Sequence, residues 1–322
     1  MAMTLIEGWD HYDVRANGSS EKGWNGNPFS NVSGRGFIGG QAISVIINNQ
    51  VYKQLASSYS TFTVGAAIQI SDTACGTFLT LSNSGTFVAS LSIGADLRLF
   101  VTDTAARTFP GTTLIRTNVW FYVEMKIVVG TSGTTEVRLN GNSTSEITGT
   151  GNFGTSNINR VQFECHSLSG ATLVDDVYGT DGSFLGDIVV RTLYPNGDGT
   201  HQQWTPDTGS THYTRVNEHN FDGDGSYVYD GTVGHIDSYD MDDSPGTVAY
   251  AAQLNLGARK GDAGLRQIAP MMRQSGTDYV GPTETLSTDY AFYSWMLDND
   301  PSGSPWTVAT INADECGVKT IA

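Results

Sequence analysis

Val119-Trp120-Phe121-Tyr122-Val123-Glu124-Met125-Lys126-Ile127-Val128-Val129 decides the fold. Val119, Phe121, Val123, Met125, Ile127 and Val129 are apolar, with Tyr122, Glu124 and Lys126 between them. This is the period-two alternation of a strand with one buried face and one wet face. The run stops at Gly130-Thr131-Ser132-Gly133 and resumes as Glu136-Val137-Arg138-Leu139 before Asn140-Gly141, which predicts an antiparallel hairpin. A sheet with one apolar face needs a second layer over it, so the stretch predicts a β-sandwich.

The alternation recurs at Phe62, Val64, Ala66, Ile68 and Ile70; at Phe87, Ala89, Leu91 and Ile93; at Leu97, Leu99 and Val101; and at Val161, Phe163 and Cys165. Short strands separated by Gly, Ser and Asn predict an all-β jelly roll over the first half. In Ala171-Thr172-Leu173-Val174-Asp175-Asp176-Val177-Tyr178, regular alternation sends the two aspartates to opposite faces, where they form no side-by-side pair. Further on, Val248 to Ala258 and Tyr290 to Leu297 read as strands, the first against a helical alternative favoured by its Ala, Gln and Leu.

Composition agrees with this class. A chain of 322 residues has room for about two domains, and 38 Gly with 39% hydrophobic content describe a turn-rich β protein. No apolar run approaches the roughly 18 residues that span a bilayer. The start, Met1 to Glu7, lacks the basic flank and apolar segment of a secretory signal, so synthesis in the cytoplasm is expected. Cys75, Cys165 and Cys316 are distant and odd in number, which predicts reduced side chains rather than a disulfide framework or zinc site, with a single disulfide left open.

Charge divides the chain. The first 180 residues carry 13 acidic and 10 basic side chains and the remainder 20 and 7, so most of the net −16 lies in the second half. With the turn at Gly179-Thr180-Asp181-Gly182, this step predicts domains at 1–180 and 181–322. A field of this sign repels phosphate backbones and argues against a nucleic-acid partner.

Taken together, Trp120 to Lys126, the hairpin to Val137-Arg138-Leu139-Asn140-Gly141 and the closing Leu173 to Tyr178 resemble the concanavalin A-like lectin/glucanase superfamily in its laminin-G-like branch, over roughly residues 1–180. The resemblance implies a two-sheet jelly roll used to bind glycans or dock on proteins. The second half, with Asp181 to Arg191, Tyr194-Pro195-Asn196-Gly197-Asp198-Gly199 and Asp300 to Val318, resembles bacteriophage virion proteins that carry a lectin-like half before an acidic β-rich half. That likeness implies a virion location and capsid or tail subunits as partners, in a head-decoration, tail or fibre position. A homo-oligomer is then expected, a trimer if the chain stands alone as a fibre.

Catalytic motifs are sparse. The Glu-x-Asp-x-x-Glu pattern that sets two carboxylates across a scissile glycosidic bond is missing, as is a Gly-x-Ser-x-Gly elbow. Gly34-Arg35-Gly36-Phe37-Ile38-Gly39 matches a dinucleotide fingerprint in letters, but a strand-like segment follows where a helix is needed, so it reads as a turn. Asp222-Gly223-Asp224-Gly225-Ser226 opens like a calcium loop, with Asp222, Asp224 and Asp230 as candidate ligands and Asp237 as a further one. It is no EF-hand, because Tyr227 stands where Gly is required and Val233 where the bidentate Glu belongs. His201, His212, His219 and His235 lack the short spacing of a zinc pair and read as surface or interface side chains. Trp204, Tyr213, Phe221, Tyr227, Tyr229 and Tyr239 surround them, offering rings for sugars, for a protein neighbour or for the core. The sequence thus predicts a noncatalytic virion component without cofactor, apart from calcium. Its alternative is a carbohydrate-binding adhesin that takes a host surface glycan, ahead of a glycoside hydrolase.

Overall fold

A computed structural model describes residues 2–11, 22–26, 30–35, 40–72, 76–166 and 170–322, and among these the regular structure is twenty-five strands, one four-residue helix, α1 (Val308–Ile311), and a 3-10 turn at Tyr213–Arg215. The chain folds into two units, Met1–Val190 and Arg191–Ala322. In the first unit the strands are β1 (Met3–Glu7), β2 (Trp24–Gly26), β3 (Ser30–Ser33), β4 (Gln41–Ile46), β5 (Asn49–Tyr59), β6 (Thr61–Ile70), β7 (Thr77–Asn83) and β8 (Thr86–Ile93). They continue as β9 (Arg98–Thr102), β10 (Thr108–Leu114), β11 (Phe121–Val128), β12 (Gly133–Leu139), β13 (Ile147–Gly151), β14 (Ile158–Cys165) and β15 (Ala171–Thr180).

Two antiparallel sheets form the expected jelly roll. The first has the order β13-β12-β11-β6-β15-β4-β3, with β1 also on β15; the second has the order β10-β9-β8-β7-β14-β5-β2. Between them lie Phe62, Val64, Ile68, Val123, Met125 and Ile127 from the first sheet and Leu79, Leu81, Leu91, Val101, Val161 and Phe163 from the second, all buried. These are the residues the alternation selects, because on a pleated strand every second side chain meets the facing sheet. Phe87 departs from the pattern: the pairing of β7 with β8 shifts between Leu81 and Ser82, and Phe87 is exposed. At one end Glu7 is buried, with Lys22 at 3.3 Å and the Trp24 indole N–H at 3.0 Å.

The wet face predicted for β11 is not wet. Tyr122 and Glu124 are buried, because residues 181–190 leave β15 and cross the outer face of the first sheet. This segment explains why the first unit ends at Val190, ten residues past the turn that marks the charge step.

The second unit contains β16 (Pro195–Gln202), β17 (Thr205–Pro206), β18 (Val228–Tyr229), β19 (Ile236–Met241), β20 (Ala252–Ala258), β21 (Gln267–Gln274), β22 (Thr277–Val280), β23 (Glu284–Thr285), β24 (Ala291–Leu297) and β25 (Glu315–Thr320). Its main sheet runs β16-β19-β25-β21-β22, with β23 on β21. The β20–β24 pair packs on it through two small apolar clusters: Ile268, Leu286 and Val318 with Leu256 and Tyr293, and Met272, Leu297 and Trp306 with Leu254 and Trp295. The segment 248–258 is therefore strand over Ala252–Ala258, since it has a β partner in β24 that its helix-compatible composition does not reveal. No helix among the described residues is long and apolar enough to cross a membrane.

Val123 is fully buried on the inner face of β11. Val123→Asp is expected to lower the stability of the first unit by about 4 kcal/mol, the scale for an unpaired buried charge, while Lys126→Ala on the outer face costs a few tenths. Thermal melts of the two variants against the parent check this; a parent-like Val123→Asp would refute the inner-face assignment.

Candidate functional site

The two sheets present opposite kinds of outer face. On the first sheet, β11 contributes Tyr122 and Glu124, and β15 contributes Tyr178 across the register of β6, where Tyr178 pairs with Gly65. The Tyr178 ring lies over Gly65 so closely that a Cβ there would stand 2.1 Å from a ring carbon. Glu124 Oε1 accepts the Tyr178 hydroxyl and the backbone N–H groups of Leu185 at 2.9 Å and Gly186 at 2.8 Å. Phe184 lies under the Arg138 guanidinium, 4.0 Å from its ring centroid. This face is sealed.

The aspartates of β15 also belong to it. Regular alternation separates them, but Asp176 has φ 50°, and the register of β15 against β6 shifts between Asp175 and Tyr178. The bulge turns both carboxylates to one side. Asp175 Oδ2 accepts Arg35 N–H at 2.7 Å, Asp176 Oδ2 stands 3.9 Å from Arg35 Nη1, and Asp176 Oδ1 accepts Val190 N–H at 2.8 Å. The expectation that the two cannot act side by side is therefore corrected.

On the second sheet the outer face carries a row of polar side chains. The registers of its seven strands align Thr108, Thr102, Ser90, Thr80, Gln162, Tyr52 and Asn25 in one row, one residue from each strand. The row is exposed at both ends, Thr108 and Asn25, and least so at Ser90, 6% exposed. With about 4.8 Å between strands, seven positions span roughly 29 Å. Beside the row, buried Glu164 accepts the Thr80 hydroxyl at 2.5 Å and the Gln162 amide at 2.7 Å, and its Oε2 lies 2.9 Å from His166 Nε2. The His166 side chain is 61% exposed, so a buried carboxylate orients an accessible imidazole there. Arg160 stacks on the Tyr52 ring at 4.1 Å.

The sequence-predicted calcium residues each have separate partners. Asp224 Oδ1 accepts from Arg259 at 2.9 Å and from the Tyr290 hydroxyl at 2.7 Å, and Arg259 first, then Tyr290, hold this carboxyl below its usual range. Asp222 accepts the Ser226 hydroxyl at 3.2 Å. Asp230 faces His235 at 3.2 Å and accepts Thr232 N–H at 2.7 Å. Among the described residues no group of three or more His, Cys, Asp or Glu is set to hold a metal ion. Asp237 is fully buried beside His212 at 3.0 Å and accepts the Tyr239 hydroxyl at 2.7 Å, so His212 is an interior side chain rather than a surface one. Of the dinucleotide-like stretch, Gly36-Phe37-Ile38-Gly39 lies outside the described residues, as does Cys75; Cys165 and Cys316 are thiols outside any disulfide.

No family model and no curated protein sequence matches the chain. Among solved structures similar to it is an endo-β-1,4-glucuronan lyase from the fungus Trichoderma reesei, at 11% identity over 57% of this chain and 98% of that one, TM-score 0.42. An alginate lyase matches at 12% over 59% and 98%, TM-score 0.36. The binding domain of botulinum neurotoxin serotype C1 matches at 10% over 92% and 88%, TM-score 0.38. None of these is a virion protein, and none carries its substrate over to this chain. One expectation is corrected by them: the chain was read as no enzyme from a missing glucanase motif, yet the similar structures include polysaccharide lyases. Elimination across a glycosidic bond needs no flanking carboxylate pair, so that missing motif does not exclude catalysis.

Removing the Asp237 carboxylate strands the Tyr239 hydroxyl and the His212 ring in the interior of the second unit. Asp237→Ala is predicted to cost about 3 kcal/mol, on the scale of breaking a buried charged network. Calorimetry should show the loss in the second unit's transition, with the first unit's unchanged.

Proposed function

We propose that this chain is a polysaccharide-binding protein that lays a glycan across the open face of the second sheet. The row Thr108, Thr102, Ser90, Thr80, Gln162, Tyr52 and Asn25 carries this reading. Hydroxyls and amides both donate and accept, as sugar hydroxyls do, so an uncharged row of them can match a polyol chain at several successive positions. Glu164, His166 and Arg160 beside the row supply charged or ionisable groups at a few points. The carboxylate-held imidazole is also suited to proton transfer, and chain cleavage belongs in the same test.

A panel of neutral and uronate polysaccharides, read by affinity electrophoresis and calorimetry, tests the proposal. Gln162→Ala and Thr102→Val should each weaken the bound glycan about threefold to tenfold, the scale of one net hydrogen bond. Lys126→Ala, on the other sheet, should leave affinity unchanged. Absence of binding across the panel, or binding indifferent to both row substitutions, would reject the site. Each mixture is also assayed for new chain ends.

The likeness of the second half to virion proteins supports a second reading, in which the same module is part of a phage particle among capsid or tail subunits. Labelled antibody on purified particles and a mass measurement of the free protein address it. Particle-bound protein that also binds glycan would join the two readings.

A further inference from the structure

Residues 181–190 cover the outer face of the first sheet without forming a strand of it. Their attachment includes backbone N–H groups given to buried carboxylates, Leu185 and Gly186 to Glu124 and Val190 to Asp176, beside Leu185 N–H to the Tyr178 hydroxyl and the Phe184 ring under Arg138. One side-chain ion pair adds to these, Arg35 with Asp187.

Among the described residues, Arg35 is the cation that faces Asp175, Asp176 and Asp187, and the charge of Asp10 reaches both β15 aspartates. Asp176 Oδ2 and Arg35 Nη1 are buried, have no hydrogen-bond partner and stand 3.9 Å apart. Two adjacent carboxylates, Asp175 and Asp176, are buried there beside one half-buried guanidinium that is shared with the exposed Asp187, and such a pair is stable when a proton neutralises part of its charge.

We propose that residues 181–190 are a proton-dependent latch, closed over the first sheet while the Asp175–Asp176 pair holds a proton and released when the pair is fully ionised. Burial, and for Asp175 next the neighbouring Asp176 charge, raise both carboxyls from the ordinary carboxylate range into the neutral region. Backbone donors from Arg35, Asp176 and Val190, together with the Arg35 charge, oppose the rise without cancelling it. The remaining groups facing the pocket do not supply the missing positive charge. Tyr122 and Tyr178 are held protonated by burial, Glu124 is engaged with the latch itself, and Arg138 is paired with Glu136. Lys126 sits at the Phe184 end, 5.7 Å from that ring.

The sign follows from linkage. A carboxyl whose value is raised in the closed state binds a proton there that it releases in the open state, so closure is strongest at low pH and weakens as pH rises through the neutral region. Release bares Tyr122, Glu124 and Tyr178 to water. It also frees ten residues between the two units, a tether of up to about 35 Å when extended.

Amide hydrogen exchange on the full chain, expressed as protection factors so that intrinsic rates cancel, reads the latch directly. Between about pH 6 and about pH 9 the protection of Leu185, Gly186 and Val190 should fall at least about tenfold more than that of Met125 and Ile127 in β11. Asp175→Asn should remove this extra fall. Asp176→Asn, which removes the other carboxylate of the pair while its Oδ1 can still accept Val190 N–H, should do the same, and it serves if the first variant does not fold. Parallel behaviour of latch and β11 amides in the parent protein would overturn the proposal, as would an undiminished pH response in a folded Asp175→Asn variant.

Discussion

Glu124 is 1% exposed at the centre of the first sheet, and the arrangement around it follows from that burial. A carboxylate taken out of water must collect donors, because an unpaired buried charge costs several kcal/mol. Here the donors are the Tyr178 hydroxyl and two consecutive backbone N–H groups, Leu185 and Gly186. Meeting that demand draws residues 181–190 onto the sheet, and Tyr178 reaches Glu124 by lying flat over Gly65, where no side chain is tolerated. The far end of the segment is fixed by the same kind of bond, Val190 to Asp176. Because this face is filled by its own chain, the second sheet is left as the open one.

The pattern of alternation made the sandwich legible, since Val123, Met125 and Ile127 had to share a face whatever covered it. It could not reveal the cover. Residues 181–190 have no periodicity, and what they contribute is backbone N–H, which no side-chain pattern encodes. The aspartate pair was hidden for a related reason: one residue at φ 50° reverses the alternation locally, and Asp is among the few non-glycine types that adopt this conformation readily. The polar row was half legible. Gln162 and Thr80 could be read as outward residues of their strands, but their adjacency needs β14 beside β7, a pairing of segments some eighty residues apart. Sequence spacing then favoured Asp222, Asp224 and Asp230 as a group, whereas chain direction in the fold gives them to Ser226, Arg259 and His235.

That redistribution bears on the acidic excess of the second unit. Four of its five arginines pair locally: Arg215 with Asp207, Arg259 with Asp224, Arg266 with Asp262 and Arg273 with Asp278. Pairs as exposed as Arg266–Asp262 contribute little, since water screens them and two long side chains must be held in place. The unit instead depends on two small apolar clusters and on the buried Asp237 network, which makes Asp237 a more consequential carboxylate than any in the Asp222–Ser226 loop.

The chemical difference between the two outer faces also decides which of them suits a ligand. Glu124, Asp175, Asp176 and Arg35 are groups whose hydration is costly to remove, and the fold removes it once, with its own backbone as the replacement. A glycan placed there would have to displace that replacement and satisfy ionised groups with neutral hydroxyls. Along the other face, Thr102 and Ser90 present hydroxyls, while Thr80 and Gln162 each give a donor to Glu164 and keep further hydrogen-bonding capacity. The two outer faces thus differ in kind: one is filled by the chain's own backbone over buried carboxylates, the other presents hydroxyls and amides from seven adjacent strands.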